Sequence, residues 1–219
     1  MRCPPHVTGI TPDGEHEQCT ICHEQWPLKG EQHMIQFSRD GIAHLQAEVR
    51  KGGGLWVGLH LQLKHPDHPQ PPHVLLPWLP EDAHLTVLHL GRNRTVQAVE
   101  SLVRAVEDIS HRGLVPDVAE ITGVGWFWRR QDPCLVALLN SARIFQLRAA
   151  LVRELTEEHG IRIDDTFGFI PHVTLRSGNQ PSISPSYLAG EMSRAPAIGV
   201  HLAPLAIVCR EATIRPQWG

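Results

Sequence analysis

From residue 55 onward the chain alternates short apolar blocks of two different periods. Leu55, Val57, Leu59, Leu61 and Leu63 recur every second residue, the spacing of a strand with one buried face. A loop rich in Pro and His (64–80) separates this run from a second strand-like run at 84–90. Arg94-Thr95 opens a helix through about His111, because Val96, Val99, Leu102, Val103 and Val106 share one helical face. Strands are predicted near 118–128 and 134–139. A second helix follows over about 141–159, with Ile144, Leu147, Leu151 and Leu155 on its apolar side and Gly160 as its stop. The last predicted strands are 169–175, 199–202 and 206–213.

Upstream the pattern is different. Residues 1 to about 30 are rich in Cys, His, Pro and Gly and have no hydrophobic period, so they cannot build a core alone. A short helix is predicted around 40–51, ended by Gly52-Gly53-Gly54. The chain therefore divides into an N-terminal extension, 1–54, and a main domain, 55–219. Within the main domain each half holds one long helix and one strand carrying His-x-Thr. That order implies an internal duplication and an α+β fold, with two antiparallel sheets and flanking helices around a central cleft.

Composition narrows the function. The 219 residues are 42% hydrophobic, enough for one sizeable core or two small lobes sharing one. A formal net charge of -3 and a pI near 6.6 argue against a bulk grip on long duplex nucleic acid. A short oligonucleotide or small phosphate ester needs only a local basic pocket. No apolar run reaches the length of a membrane span, and Met1-Arg2-Cys3-Pro4-Pro5 lacks an apolar signal core, so a cytoplasmic location is expected. Oligomeric state is left open.

The chemistry lies in His84-Leu85-Thr86 and His172-Val173-Thr174. Residues i and i+2 of a strand share a face, so each imidazole stands beside a hydroxyl, while Leu85 and Val173 point to the buried side. Two such units facing each other supply a neutral histidine as base, a protonated histidine as acid, and two hydroxyls for the phosphoryl oxygens. Chance alone, with 15 histidines and 10 threonines, gives about 0.7 such triplets, so one triplet means little. Context separates the three that occur. His84 and His172 each begin an apolar run, whereas His6-Val7-Thr8 leads into the turn signal Thr11-Pro12-Asp13-Gly14 and has no strand to sit on.

The paired motifs, followed by Val87-Leu88 and Leu90-Gly91 in one case and Leu175-Arg176 in the other, resemble the two-histidine phosphoesterase superfamily over roughly 55–215. The resemblance implies a bilobal α+β module that needs no catalytic metal. It also implies a nucleotide or short oligonucleotide phosphodiester as substrate: a 2′,3′-cyclic phosphate, a 2′–5′ linkage or a cyclic oligonucleotide signal. The extension lies outside it.

Further candidates surround the pair. Trp126, Trp128 and Arg129 combine aromatic faces with a cation, suited to base stacking and phosphate contact, although one Trp packing under the cleft reads the same way. Arg176, two residues after Thr174, shares its strand face and can reach the phosphate, although an exposed structural arginine reads the same way. His89, five residues after His84, faces the other way in a regular strand. His60, His65, His68 and His73 read as part of a loop at the cleft rim. Cys3 and His6, with Cys19 and Cys22, form two x₂-spaced pairs able to close a structural Zn²⁺ site, with His16 or His23 as alternatives to His6. Two other functions compete: a nucleotide- or RNA-binding module that sequesters its ligand uncleaved, and a metal-dependent hydrolase. The latter lacks a His-x-Glu-x-x-His pattern.

Overall fold

The computed structural model describes residues 8–10, 16–19, 25–27, 35–62, 79–92, 94–129, 132–163, 168–177, 186–187, 190 and 197–218. The chain forms two compact units, Met1–Met34 with Gly219, and Ile35–Trp218. In the first, β1 (Thr8–Ile10), β2 (His16–Cys19) and β3 (Gln25–Pro27) make an antiparallel meander. Thr8 thus opens a strand where none is expected from the turn signal that follows. Residues 35–54, read from sequence as part of the extension, contribute to the second unit.

That unit is α+β with antiparallel strands. A short pair, β4 (Ile35–Gln36) and β12 (Gln217–Trp218), brings its ends together. α1 (Arg39–Arg50) starts at Ser38, whose side chain caps Gly41 N–H. It stops before Gly52, which takes the positive φ of 78° that a side chain disfavours. α2 (Val96–His111) starts in the same way, with Thr95 capping Ala98 N–H. α3 (Ala142–Arg153) continues into a π turn at Glu154–Glu158.

The remaining strands are β5 (Leu55–Gln62), β6 (His84–Gly91), β7 (Val118–Arg129), β8 (Asp132–Asn140), β9 (His172–Ser177), β10 (Ile198–Cys209) and β11 (Ala212–Ile214). They form one sheet in the order β11-β10-β5-β6-β9-β8-β7, and β10 also pairs with β7. The two sheets expected from the duplication are therefore continuous. They join through β6–β9 in the middle and through β10, which serves β7 with residues 198–201 and β5 with residues 201–209. The two late strands read from sequence are this one strand. Its register slips between Leu202 and Leu205, at Pro204, which has no N–H to give a ladder.

One face of the sheet is core. Leu55, Val57, Leu59, Leu85, Ala137 and Val173 are each wholly buried, and they join one apolar cluster with Leu45 of α1, Leu102 and Val106 of α2, and Ile144 and Leu147 of α3. The 3.6-residue stripe of each helix meets the two-residue stripe of the strands. The opposite, inner face of the sheet carries the polar alternates. Among the described residues no helix is long and apolar enough to cross a membrane.

Candidate active site

The site follows from the pairing of β6 with β9. Leu85 lies opposite Val173, and in an antiparallel register this sets His84 opposite Thr174 and Thr86 opposite His172. Both central residues are buried in the core, so alternation turns the other four side chains to the inner face. Directly opposed residues have Cβ atoms about 5 Å apart and diagonal ones about 7–8 Å. The two imidazoles sit on that diagonal, a span filled by one phosphate with a hydrogen bond at each end.

Both rings are held alike. His84 Nδ1 lies 3.0 Å from the carbonyl of Asp82, and His172 Nδ1 lies 2.7 Å from the carbonyl of Ile170. A carbonyl only accepts, so each Nδ1 carries a proton and Nε2 is left free of that bond. The i−2 carbonyl lies two residues before the start of each strand, so the two halves repeat in backbone as well as in sequence. Thr86 is half-buried and Thr174 exposed. The thiol of Cys134, buried on β8, sits 3.7 Å from Thr174 Oγ1 as a weak donor. This leaves the threonine's own O–H to point elsewhere.

The surroundings of the two histidines differ. Trp56 of β5 stacks on His84, with ring centroids 4.7 Å apart and planes at 25°, and His60 stands tilted beside it at 5.7 Å. Phe127 of β7 meets His172 edge-on at 4.6 Å. Gly123, and not Phe127, is the β7 residue in line with His172 through Leu138. The β7–β8 hairpin therefore bends over the inner face, helped by the register slip beside Thr122 and by the missing side chains of Gly123 and Gly125.

Sequence reading missed Trp56, His60 and Phe127. The first two were legible: they alternate with the buried leucines of β5, so they had to share the face of His84. His60 is a strand residue paired with His84 and not part of a loop, while His65, His68 and His73 lie outside the described residues. His89 corrects another expectation. β6 carries an extra residue at Val87, so the phase resets and His89 pairs with Trp56, on the same side as His84. Arg148 of α3 donates to the Val87 carbonyl at 2.8 Å, where the strand bulges.

The expected substrate contacts fare unequally. Trp126 lies opposite Leu135 and alternates with Phe127, so it projects from the other face of β7, 37% exposed. Trp128 and Arg129 end β7 opposite Pro133 and Asp132. The register slips again at Leu175, so Arg176 lies opposite Leu135 while Thr174 lies opposite Val136. Of the expected zinc ligands, Cys3, His6 and Cys22 lie outside the described residues. Cys19 ends β2, opposite Thr8. Among the described residues no group of three or more His, Cys, Asp or Glu is placed to hold a metal ion.

No protein-family model and no curated protein matches the chain. The solved structure of E. coli LigT complexed with 3′-AMP is similar at 15% identity, over 76% of this chain and 95% of that one, with a TM-score of 0.44. The MHV ns2 PDE domain is similar at 12% identity, over 72% and 98%, with a TM-score of 0.43. A phosphoesterase structure is similar at 14% identity, over 76% and 95%, with a TM-score of 0.45. The functional reading stands on the geometry of the four inner-face side chains.

Proposed function

We propose that the chain is a phosphodiesterase that hydrolyses a nucleotide phosphodiester by two-histidine general acid–base catalysis, with His84, Thr86, His172 and Thr174 as its catalytic residues. The observation that carries the reading is the Leu85–Val173 pairing, which gathers two imidazoles and two hydroxyls on one face from motifs 88 residues apart in sequence. Both Nδ1 atoms are committed to backbone carbonyls, which readies both Nε2 atoms for proton transfer.

The steps balance without a metal. A neutral Nε2 accepts the proton of an attacking water, or of a ribose hydroxyl, as its oxygen bonds to phosphorus. The other histidine, protonated on Nε2, donates to the departing oxygen as the P–O bond breaks. The threonine hydroxyls donate to the non-bridging oxygens, where charge grows in the transition state. After one turnover the two histidines have exchanged protonation states, and a proton transfer through solvent resets them.

Beyond the scissile phosphate, Trp128, Arg129 and Arg176 are the proposed contacts with a base and a second phosphate. Trp126 is a further proposed stacking contact, and Phe127, against His172, is proposed beside it. Cys3, His6, Cys19 and Cys22 are proposed to hold a structural Zn²⁺ that staples the N-terminal unit and takes no part in the reaction. The substrate class fits a single phosphate held between two groups: a 2′,3′-cyclic phosphate, a 2′–5′ linkage or a cyclic oligonucleotide.

The test is incubation of the full chain with 2′,3′-cyclic mononucleotides, 2′–5′ linked oligonucleotides and cyclic di- and trinucleotides. Products are read by mass spectrometry, with and without chelator, while circular dichroism follows the fold. Cleavage that persists in chelator while the fold persists is the expected result. Tight stoichiometric binding with no product in any class would replace the enzyme with a sequestering module.

A further inference from the structure

Two aromatic side chains of β5, Trp56 and His60, stand against the first histidine. β5 alternates strictly, so Trp56, Gly58 and His60 turn inward while Leu55, Val57, Leu59 and Leu61 are buried in the core. The register sets His60 opposite His84 and Gly58 opposite Thr86. Trp56 reaches His84 only by lying along its own strand over Gly58. A Cβ at residue 58 would come within 2.6 Å of Trp56 Cζ3 and within 2.6 Å of the Leu85 carbonyl oxygen. Glycine at this point is thus what lets the indole lie flat and stack on the imidazole.

His60 is the odd member. Its Nε2 is buried with no hydrogen-bond partner among the described residues, a cost that an apolar ring of the same size would avoid. Burial, then the Arg215 charge, then His84, hold its pKa below the ordinary imidazole value, against the opposing pull of Asp82. The charged and titratable groups that act on it are therefore Arg215 after β11, His84 on β6 and Asp82 just before β6.

We propose that Trp56 and His60 are positioning residues for His84, a ring pair made possible by Gly58 that fixes the plane of this imidazole. The proposal rests on the reading of His84 as a general acid–base group. The stacked indole resists rotation of the His84 ring away from the Asp82 carbonyl, and its π face favours the protonated imidazole. His60 stands tilted beside His84, and a positive charge on either imidazole opposes one on the other. Phe127 meets His172 edge-on. The two halves of the site are alike in motif and unlike in what holds them.

Long-range ¹⁵N–¹H NMR on histidine-labelled full-length protein reads the tautomer and titration of each ring without turnover. In the unaltered chain His84 should show one neutral tautomer, protonated on Nδ1, and a titration broadened by coupling to His60. His60→Phe should reduce that titration to a single-site curve, and Trp56→Leu should mix the tautomers. On a cleaved substrate, Trp56→Leu and His60→Phe should lower kcat about 10- to 100-fold through misplacement of the ring, with KM changed less than about threefold. Trp56→Phe should restore most of the loss. A His84 spectrum and titration unchanged in both His60→Phe and Trp56→Leu overturns the proposal. If the unaltered chain cleaves nothing, the phosphodiesterase reading fails while the NMR result still decides the positioning role.

Discussion

Asparagine at residue 84 or 172 separates proton transfer from folding. Its amide nitrogen falls close to the position of imidazole Nδ1, so the bond to the Asp82 carbonyl at 3.0 Å, or to the Ile170 carbonyl at 2.7 Å, can persist. What disappears is Nε2, the atom proposed to move the proton. Losing one general acid or base costs about 10²–10⁴-fold in rate, which is about 2.7–5.4 kcal/mol of transition-state stabilisation. The stability cost is smaller. Each ring is half-buried and forfeits mainly its contact with Trp56 or Phe127, worth about 0.5–1.5 kcal/mol beyond area. A domain with about 5–15 kcal/mol of stability stays folded through such a loss. Initial rates on a cleaved nucleotide, read by mass spectrometry beside a thermal melt, should therefore fall at least a hundredfold in each single variant while the melting temperature moves by only a few degrees. The double variant should be about as slow as either single one, because the groups act as a unit. Turnover within tenfold of the unaltered chain in both single variants, with the fold intact, would refute the two-histidine mechanism.

Other expectations follow from the same geometry. Leu85 is wholly buried behind the site, so Leu85→Ala should cost about 2–5 kcal/mol in a denaturant titration and lower activity by loosening the β6–β9 pairing. Thr86→Ala and Thr174→Ala should lower kcat, and Thr→Ser at either position should restore it, since only the hydroxyl is used. The pKa of His60 is lowered by burial first. The unfolded chain therefore binds a proton that the folded chain refuses once the pH falls below about 6.5. The urea midpoint should drop between pH 7.5 and pH 5.5, and the drop should shrink in His60→Phe; an equal drop in both would remove His60 from that dependence. Metal analysis should find about one zinc per chain by the four-ligand rule, lost in Cys19→Ser without loss of hydrolysis; a chain free of zinc would leave the N-terminal unit unstapled.

Much of this molecule is readable along the chain because local rules govern it. The two-residue period of Leu55 to Leu61 fixes which face of β5 is buried, and so also places Trp56, Gly58 and His60 together on the other. Thr95 and Ser38 announce helix starts, and Gly52 and Gly160 announce stops. The His-x-Thr repeat names all four inner-face residues, since i and i+2 share a side whatever the strand pairs with. Where the chain departs from regularity, the local rule fails. An extra residue at Val87 returns His89 to the inner side, another at Leu175 shifts Arg176 against β8, and Pro204 lies inside a strand that reads as two.

Position in the chain alone determined that two imidazole–hydroxyl pairs exist, each beside a buried apolar residue. Only the folded arrangement decided that Leu85 meets Val173, that one strand closes the sheet by serving both β5 and β7, and that a bent hairpin carries Phe127 to His172. Alternation is set by backbone geometry within a few residues. Pairing between distant strands depends on how the whole apolar surface is buried, and no short stretch of sequence contains that information.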